Sequence, residues 1–222
     1  MKKSFIILLA AALLFVFAAC AAQPPAAEQP KDTEAPTAEP IEASTAGPTG
    51  SPDAGSTAEA APEPHSEVLV VYFSATGTTK GVAEKLAALT GGELYEIVPA
   101  EPYSAANLNW NDRNSRSTIE QNDKASRPAI GSDALDPAGY STVYIGFPIW
   151  WGEEPRIMDT FVESYDFDGV TLIPFCTSSS SGIGRSGRNL AENAKSGNWL
   201  EGKRFGAGVT EAELRAWIDS LK

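Results

Sequence analysis

From residue 66 onward, short unbroken apolar runs alternate with stretches in which apolar residues recur at helical spacing. Val68–Phe73 is apolar, β-branched or aromatic throughout, which predicts a strand buried on both faces, as in a parallel sheet. The small residues Ser74 to Thr79 follow. Val82, Leu86 and Leu89 then recur at helical spacing until Gly91-Gly92 stop the run. The same alternation predicts strands at Glu93–Val98 (ended by Pro99), Tyr140–Phe147 and Val170–Cys176, with a short fifth at Arg204–Ala207. A helix is expected over Pro155–Tyr165, with Ile157, Met158, Phe161 and Val162 facing inward. A last helix opens at the capping box Thr210-Glu211-Ala212-Glu213 and carries Leu214, Trp217, Ile218 and Leu221 on one face. Residues 100–136 are polar, hold Trp110, Arg113 and Arg116, and leave room for one helix near 113–125. Strand–helix alternation of this kind predicts an α/β domain, a doubly wound five-stranded parallel sheet with helices on both faces.

The first 65 residues follow other rules. Met1-Lys2-Lys3 precedes an apolar run from Phe5 to Ala19, too short for the ~20 residues of a membrane span but suited to a signal peptide. The run closes on Phe17-Ala18-Ala19-Cys20. This resembles a bacterial lipoprotein lipobox with Phe17 in place of the usual Leu, and the resemblance makes Cys20 the lipid-modified residue of an exported protein held on the outer face of the cytoplasmic membrane. Residues 1–20 are therefore read as signal peptide. Residues 21–65 contain nine prolines among Ala, Thr, Glu and Ser, with eight acidic residues against Lys31. Such a segment buries too little apolar surface to offset chain entropy and reads as a disordered tether. The chain's one histidine, His65, ends it, so a His-based triad or metal centre has no candidate in the domain.

Residues 66–222 have the length of one domain. The chain carries a net charge of −12, and the acidic balance extends to this part. That makes nucleic-acid binding a poor fit and suits docking onto the basic patches of protein partners. Cys176 is the domain's single cysteine, so no disulfide can form within it, and it reads as a buried strand-end residue rather than a reactive thiol.

Candidate chemistry lies in the loops after the first, third and fourth predicted strands, because ligands of doubly wound sheets sit beyond the carboxyl ends of the strands. The first, Ser74-Ala75-Thr76-Gly77-Thr78-Thr79, combines hydroxyls with a helix N-terminus and so presents an anion site. It contains no Lys or Arg, which points to a monophosphate rather than a nucleoside triphosphate. The second, Pro148-Ile149-Trp150-Trp151-Gly152-Glu153-Glu154, places two indoles side by side in a loop; a planar aromatic ligand stacked on one of them would account for their position, as would packing against the next helix. The third, Thr177-Ser178-Ser179-Ser180-Ser181-Gly182, offers hydroxyls and no aromatic.

The run Val70, Val71, Tyr72, Ser74, Gly77, Thr79, Ala83, Leu86 resembles the flavodoxin signature. That resemblance implies the flavodoxin-like strand order 2-1-3-4-5 and an FMN cofactor whose 5′-phosphate rests on Ser74, Thr76, Gly77, Thr78 and Thr79, with Ala75 in the same loop. It also implies that Pro148, Ile149, Trp150, Trp151 and Gly152 border the isoalloxazine. The Gly152 carbonyl would accept from the reduced ring's N5–H, and Glu154 would accept from its N3–H or remain a solvated first-turn carboxylate. Thr177, Ser178, Ser181 and Gly182 would edge the ring. Ser179 and Ser180 stand where relatives with a Pro-Ile-Trp-Trp-Gly stretch typically carry two glycines, a departure in the same loop.

The function implied is electron transfer with an unidentified redox partner protein, membrane attachment through the lipid anchor alone, and neither a catalytic residue nor a metal. Two rivals stay open: an FMN-dependent NAD(P)H:quinone-type oxidoreductase, and a non-redox binding lipoprotein that has lost FMN.

Overall fold

The computed structural model describes residues 66–222. Cys20, the signal segment, the tether and His65 lie outside the described residues. The elements in chain order are β1 (Val68–Tyr72), α1 (Thr78–Thr90), β2 (Glu93–Glu96), α2 (Arg116–Asn122), β3 (Thr142–Pro148), α3 (Arg156–Glu163), β4 (Thr171–Thr177), α4 (Ser186–Ala194), β5 (Asn198–Trp199), β6 (Lys203–Phe205) and α5 (Glu211–Ser220). All the strand pairs are parallel, in the order β2-β1-β3-β4-β5, with β6 also paired to β4.

The unbroken apolar run of β1 feeds two cores because successive side chains leave a strand on opposite faces. Leu69, Val71 and Phe73 pack with Ile157, Met158 and Phe161 of α3 and Leu190 of α4. Val70 and Tyr72 pack with Val82 and Leu86 of α1 and Leu214 and Trp217 of α5. The expected capping box is present: the Thr210 side chain accepts from the Glu213 N–H while Glu213 accepts from the Thr210 N–H.

Three boundaries differ from the sequence expectation. β2 stops at Glu96 because the chain turns away to another partner: the Val98 N–H donates to Ser132 Oγ, and Pro99 bridges Ile130. α2 is shorter than expected and begins only after Ser115, whose hydroxyl accepts from the Thr118 N–H. The fifth strand comes in two pieces. β5 pairs with Thr171 and Leu172, and β6 with Phe175 to Thr177, leaving Pro174 opposite the break. The Leu172 carbonyl accepts from the Leu200 N–H on this edge. Two residues on, Pro174 faces the same edge and has no N–H to give.

Candidate cofactor-binding site

The chain leaves β1 through Phe73 and reaches the N-terminus of α1 in five residues. Gly77, at φ +86, is the left-handed N-cap residue, and no side chain caps the helix. The first N–H groups of a helix have no intrahelical acceptor, so this terminus presents unpaired donors and the positive end of the helix dipole to the cleft above it. The hydroxyl of Ser74 is buried without a hydrogen-bond partner, where an unmet polar group costs about 1–3 kcal/mol. Thr79 and Thr177 are both buried, and their hydroxyls meet at 2.8 Å.

The second loop is a tight turn. Trp150 and Glu153 exchange backbone hydrogen bonds of 2.9 and 3.0 Å, and the two residues between them, Trp151 (φ 49) and Gly152 (φ 87), are both left-handed. Reciprocal bonding around two positive-φ residues is the signature of a type I′ turn. Glycine takes this conformation at little cost, but a tryptophan does so against about 1–2 kcal/mol of steric opposition. The turn sends the two indoles in different directions. Trp150 lies edge-on to Phe73 and Tyr103, with centroids 5.6 and 5.2 Å away, and belongs to the core. Trp151 is 45% exposed. The Gly152 carbonyl lies against the entry to α4, where a β-carbon on Gly184 would stand 3.5 Å from it.

Both loops open onto one cleft of about 410 Å³, lined by Ser74, Ala75, Thr76, Thr78, Thr79, Pro148, Ile149, Trp150 and Trp151. Its outer wall is Leu108, Trp110 and Ser117, from the stretch that the sequence left without an assigned role. None of the described residues lining the cleft is charged. Trp110 is 73% exposed, yet it rides on a well-anchored arch. Asn107 accepts from the N–H and hydroxyl of Ser104 at 2.9 Å each, and its carbonyl accepts from the Ser117 hydroxyl at 2.6 Å. The Arg116 guanidinium lies 4.2 Å over the Tyr103 ring and bonds Glu120 at 2.6 Å. The indoles lining the cleft therefore come from two separate segments, Trp150 and Trp151 from the loop after β3 and Trp110 from the arch.

Not every expected residue reaches this cleft. Glu154 is a correction. It is 1% exposed, and its carboxylate accepts from Asn189 Nδ2 at 3.1 and 3.3 Å and lies 3.7 Å from Arg156. It faces a separate polar hollow bordered by α3 and α4, because the tight turn carries the chain past the cleft before Glu154 is placed. Burial raises its pKa, and that of Asp159, above the usual carboxylate range. In the loop after β4, Thr177 and Ser178 border a shallower depression that shares Thr76, Thr78 and Pro148 with the cleft. Ser181 and Gly182 are exposed and line neither. Instead the Ser181 carbonyl accepts from the Ser178 hydroxyl, and Arg204 holds the loop through the Ser178 hydroxyl and carbonyl at 3.2 and 2.9 Å. Cys176 is fully buried, and burial pushes its thiol up to about 12, well away from a reactive thiolate.

The family model described as Flavodoxin matches residues 67–221. The chain belongs to the flavodoxin family. Among solved structures it is similar to a candidate flavoprotein of Bacteroides eggerthii, 48% identical over 69% of this chain and 96% of that one, with a TM-score of 0.65. A second candidate flavoprotein, from Bacteroides uniformis, is 46% identical over 70% of this chain and 99% of that one, TM-score 0.67. A Lactobacillus acidophilus flavoprotein in complex with FMN shares the fold at 23% identity over 68% and 97%, TM-score 0.52. No curated protein matches the chain. For this member of the flavodoxin family, the observed strand order is the doubly wound one expected, with the cleft at the carboxyl ends of β1 and β3, the switch point of the sheet.

Proposed function

We propose that the cleft binds FMN and that this flavodoxin-family chain is an electron carrier, lipid-anchored through Cys20 on the outer face of the cytoplasmic membrane and serving a redox partner protein. The observation that carries the reading is the buried, partnerless Ser74 hydroxyl beside an uncapped helix N-terminus. Together they form an anion cradle, and indoles stand farther along the same cleft. The residues fit the cofactor in a definite order: Ser74, Thr76, Thr78 and the amides around Gly77 toward the phosphate, Ile149 and Trp151 toward the ring. When bound, FMN supplies one- and two-electron chemistry.

The chain's own part is to bind, orient and bias. No charged side chain lines the cleft among the described residues, so none is placed to offset negative charge on a reduced ring. The chain's net charge of −12 adds to that and favours a low potential. A carrier needs no acid–base pair, and the uncharged wall offers no charged partner for the phosphates of a nicotinamide dinucleotide. Rapid NAD(P)H oxidation by the purified protein would transfer the reading to the oxidoreductase rival.

The deciding experiment is an absorbance spectrum of the purified protein followed by titrations with FMN and riboflavin. FMN should bind at least ~100-fold more tightly, about 2.7 kcal/mol, since the phosphate makes several charge-assisted hydrogen bonds. Thr76→Val should narrow that gap and leave riboflavin affinity nearly unchanged. A colourless protein that binds neither flavin, or one that binds both equally, would overturn the phosphate-cradle reading.

A further inference from the structure

The cleft has two walls from segments far apart in the chain, the turn at Trp150–Glu153 and the arch that ends in α2. Behind the site they are joined by a reciprocal pair of hydrogen bonds. Gln121 Nε2, at the end of α2, donates to the Glu154 carbonyl at 3.0 Å. Arg156 Nη2, at the start of α3, donates back to the Gln121 carbonyl at 3.2 Å. The same nitrogen donates to Glu153 Oε2 at 2.8 Å, so one guanidinium holds both α2 and the residue that closes the turn carrying Trp151. The clasp is buried at Gln121 (8% exposed), Arg156 (5%) and Glu154 (1%) and opens to solvent only on the side of Glu153. Ser117, which lines the cleft, sits one helical turn before Gln121, and the Tyr103 ring adds a packing contact to Trp150 at 5.2 Å.

We infer that Gln121 and Arg156 are positioning residues that set the separation of the Trp151 and Trp110 walls and so the fit of the flavin ring. The inference rests on the reading that this cleft holds FMN. A buried hydrogen bond fixes geometry because breaking it leaves a carbonyl or amide unmet. With both bonds present, α2 and the turn move as one body. With the pair broken, each wall keeps its own anchors and the Tyr103 ring still meets Trp150 at 5.2 Å, but no hydrogen bond from α2 to the turn then fixes their spacing. Gln121 Oε1 and Arg156 Nε are buried and unpartnered, so the clasp uses only part of its polar groups.

The wall position acts on the ring and not on the phosphate, and this separates the clasp from the cradle. In the full chain, Gln121→Met removes the Nε2 half of the clasp and leaves the backbone carbonyl of residue 121 to accept from Arg156; it should weaken FMN and riboflavin by the same factor, about tenfold if only a tenth of the molecules keep competent spacing. The FMN-to-riboflavin ratio should stay that of the wild type, and the visible circular dichroism of the bound flavin, which reports the asymmetry of its walls, should change. Gln121→Glu keeps the size but presents only acceptors when ionised, and should lose as much as the Met variant. Titrations and dichroism at 10 °C, with folding verified by far-ultraviolet dichroism, make the test. Wild-type flavin affinity and dichroism in either variant would overturn the clasp alone. A variant that no longer folds at that temperature would also overturn it, since Gln121 would then be a stability residue. A wild type that binds neither flavin would overturn the cofactor reading and the clasp with it.

Discussion

The hydroxyls of Thr79 and Thr177 meet at 2.8 Å across 98 residues of chain, tying the first turn of α1 to the last residue of β4 next to the proposed phosphate cradle. Each hydroxyl has one hydrogen. If Thr177 donates to Thr79, the Thr79 hydrogen is left to point at an anion above it. The pair then serves the fold and the cradle together. Thr79→Val should cost about 1–3 kcal/mol of stability, because it strands the buried Thr177 hydroxyl. The double variant Thr79→Val/Thr177→Val should cost clearly less than the two single losses added. Urea denaturation of the four proteins measures the coupling, and strict additivity would show that the hydroxyls do not depend on each other.

The three tryptophans around the cleft should separate by what they lose. Trp151→Ala is expected to loosen FMN by about 1–3 kcal/mol, the scale of one aromatic stacking contact with its buried area, and to leave the fold nearly intact. Trp150→Ala should act mainly on stability, since that ring packs against Phe73 and Tyr103. Trp110→Ala should loosen FMN less than Trp151→Ala, because its indole is the more exposed of the two. Parallel flavin titrations and melting curves check all three. A Trp150 variant that loses more flavin affinity than the Trp151 variant would reverse the assignment.

The left-handed backbone at Trp151 gives a second, independent check on the turn. Trp151→Gly relieves the φ of 49, whereas Trp151→Ala keeps a β-carbon there. The Gly variant should therefore be the more stable of the two by about 1 kcal/mol, although glycine usually costs stability through chain entropy. Equal melting temperatures, or a less stable Gly variant, would mean that the turn relaxes without Trp151.

Burial raises the pKa of Glu154 and of Asp159, so the folded form holds those protons more tightly than the unfolded chain. Their contribution to stability is fully present below the ordinary carboxylate pKa of about 4. It is lost as pH rises through the raised folded values. Glu163 works in the opposite sense, because its bond to Arg127 lowers its pKa and its contribution disappears as pH falls. Glu154→Gln should flatten the decline in melting temperature as pH rises above the ordinary carboxylate pKa of about 4, relative to wild type. An unchanged slope would show that Glu154 titrates normally.

The proposed lipid anchor has its own test. Cys20→Ser should release the protein from membranes without altering its flavin content. A variant that still pellets with membranes and keeps an unprocessed N-terminus would make the apolar run at Phe5–Ala19 an uncleaved anchor.

The parts legible in the sequence were those in which one residue's neighbours decide its fate. The six apolar residues from Val68, the Ser/Thr/Gly loop after them and the Thr210–Glu213 box are local codes, and each appears where expected. Trp110 was visible as a residue but not as a wall, because an arch held by side-chain bonds such as Ser117 to Asn107 has no period to read. Glu154 was misplaced because adjacency to Gly152 says nothing about the side of a tight turn on which the next side chain emerges. β5 was missed because two residues carry no pattern at all, and its pairing depends on β4 rather than on its own composition.

The break opposite Pro174 has a consequence for the molecule in company. A sheet edge is a row of unpaired backbone groups that can recruit a strand from another chain. Here that edge consists of two stubs, Asn198–Trp199 and Lys203–Phe205, offset by the residues between them. Neither stub is long enough to template an incoming strand, and the exposed Lys203 adds a charge of the kind that blunts sheet edges. A strand from another chain should therefore find little on this edge to pair with, and the missing N–H of one proline in the neighbouring strand is what leaves the edge in two pieces.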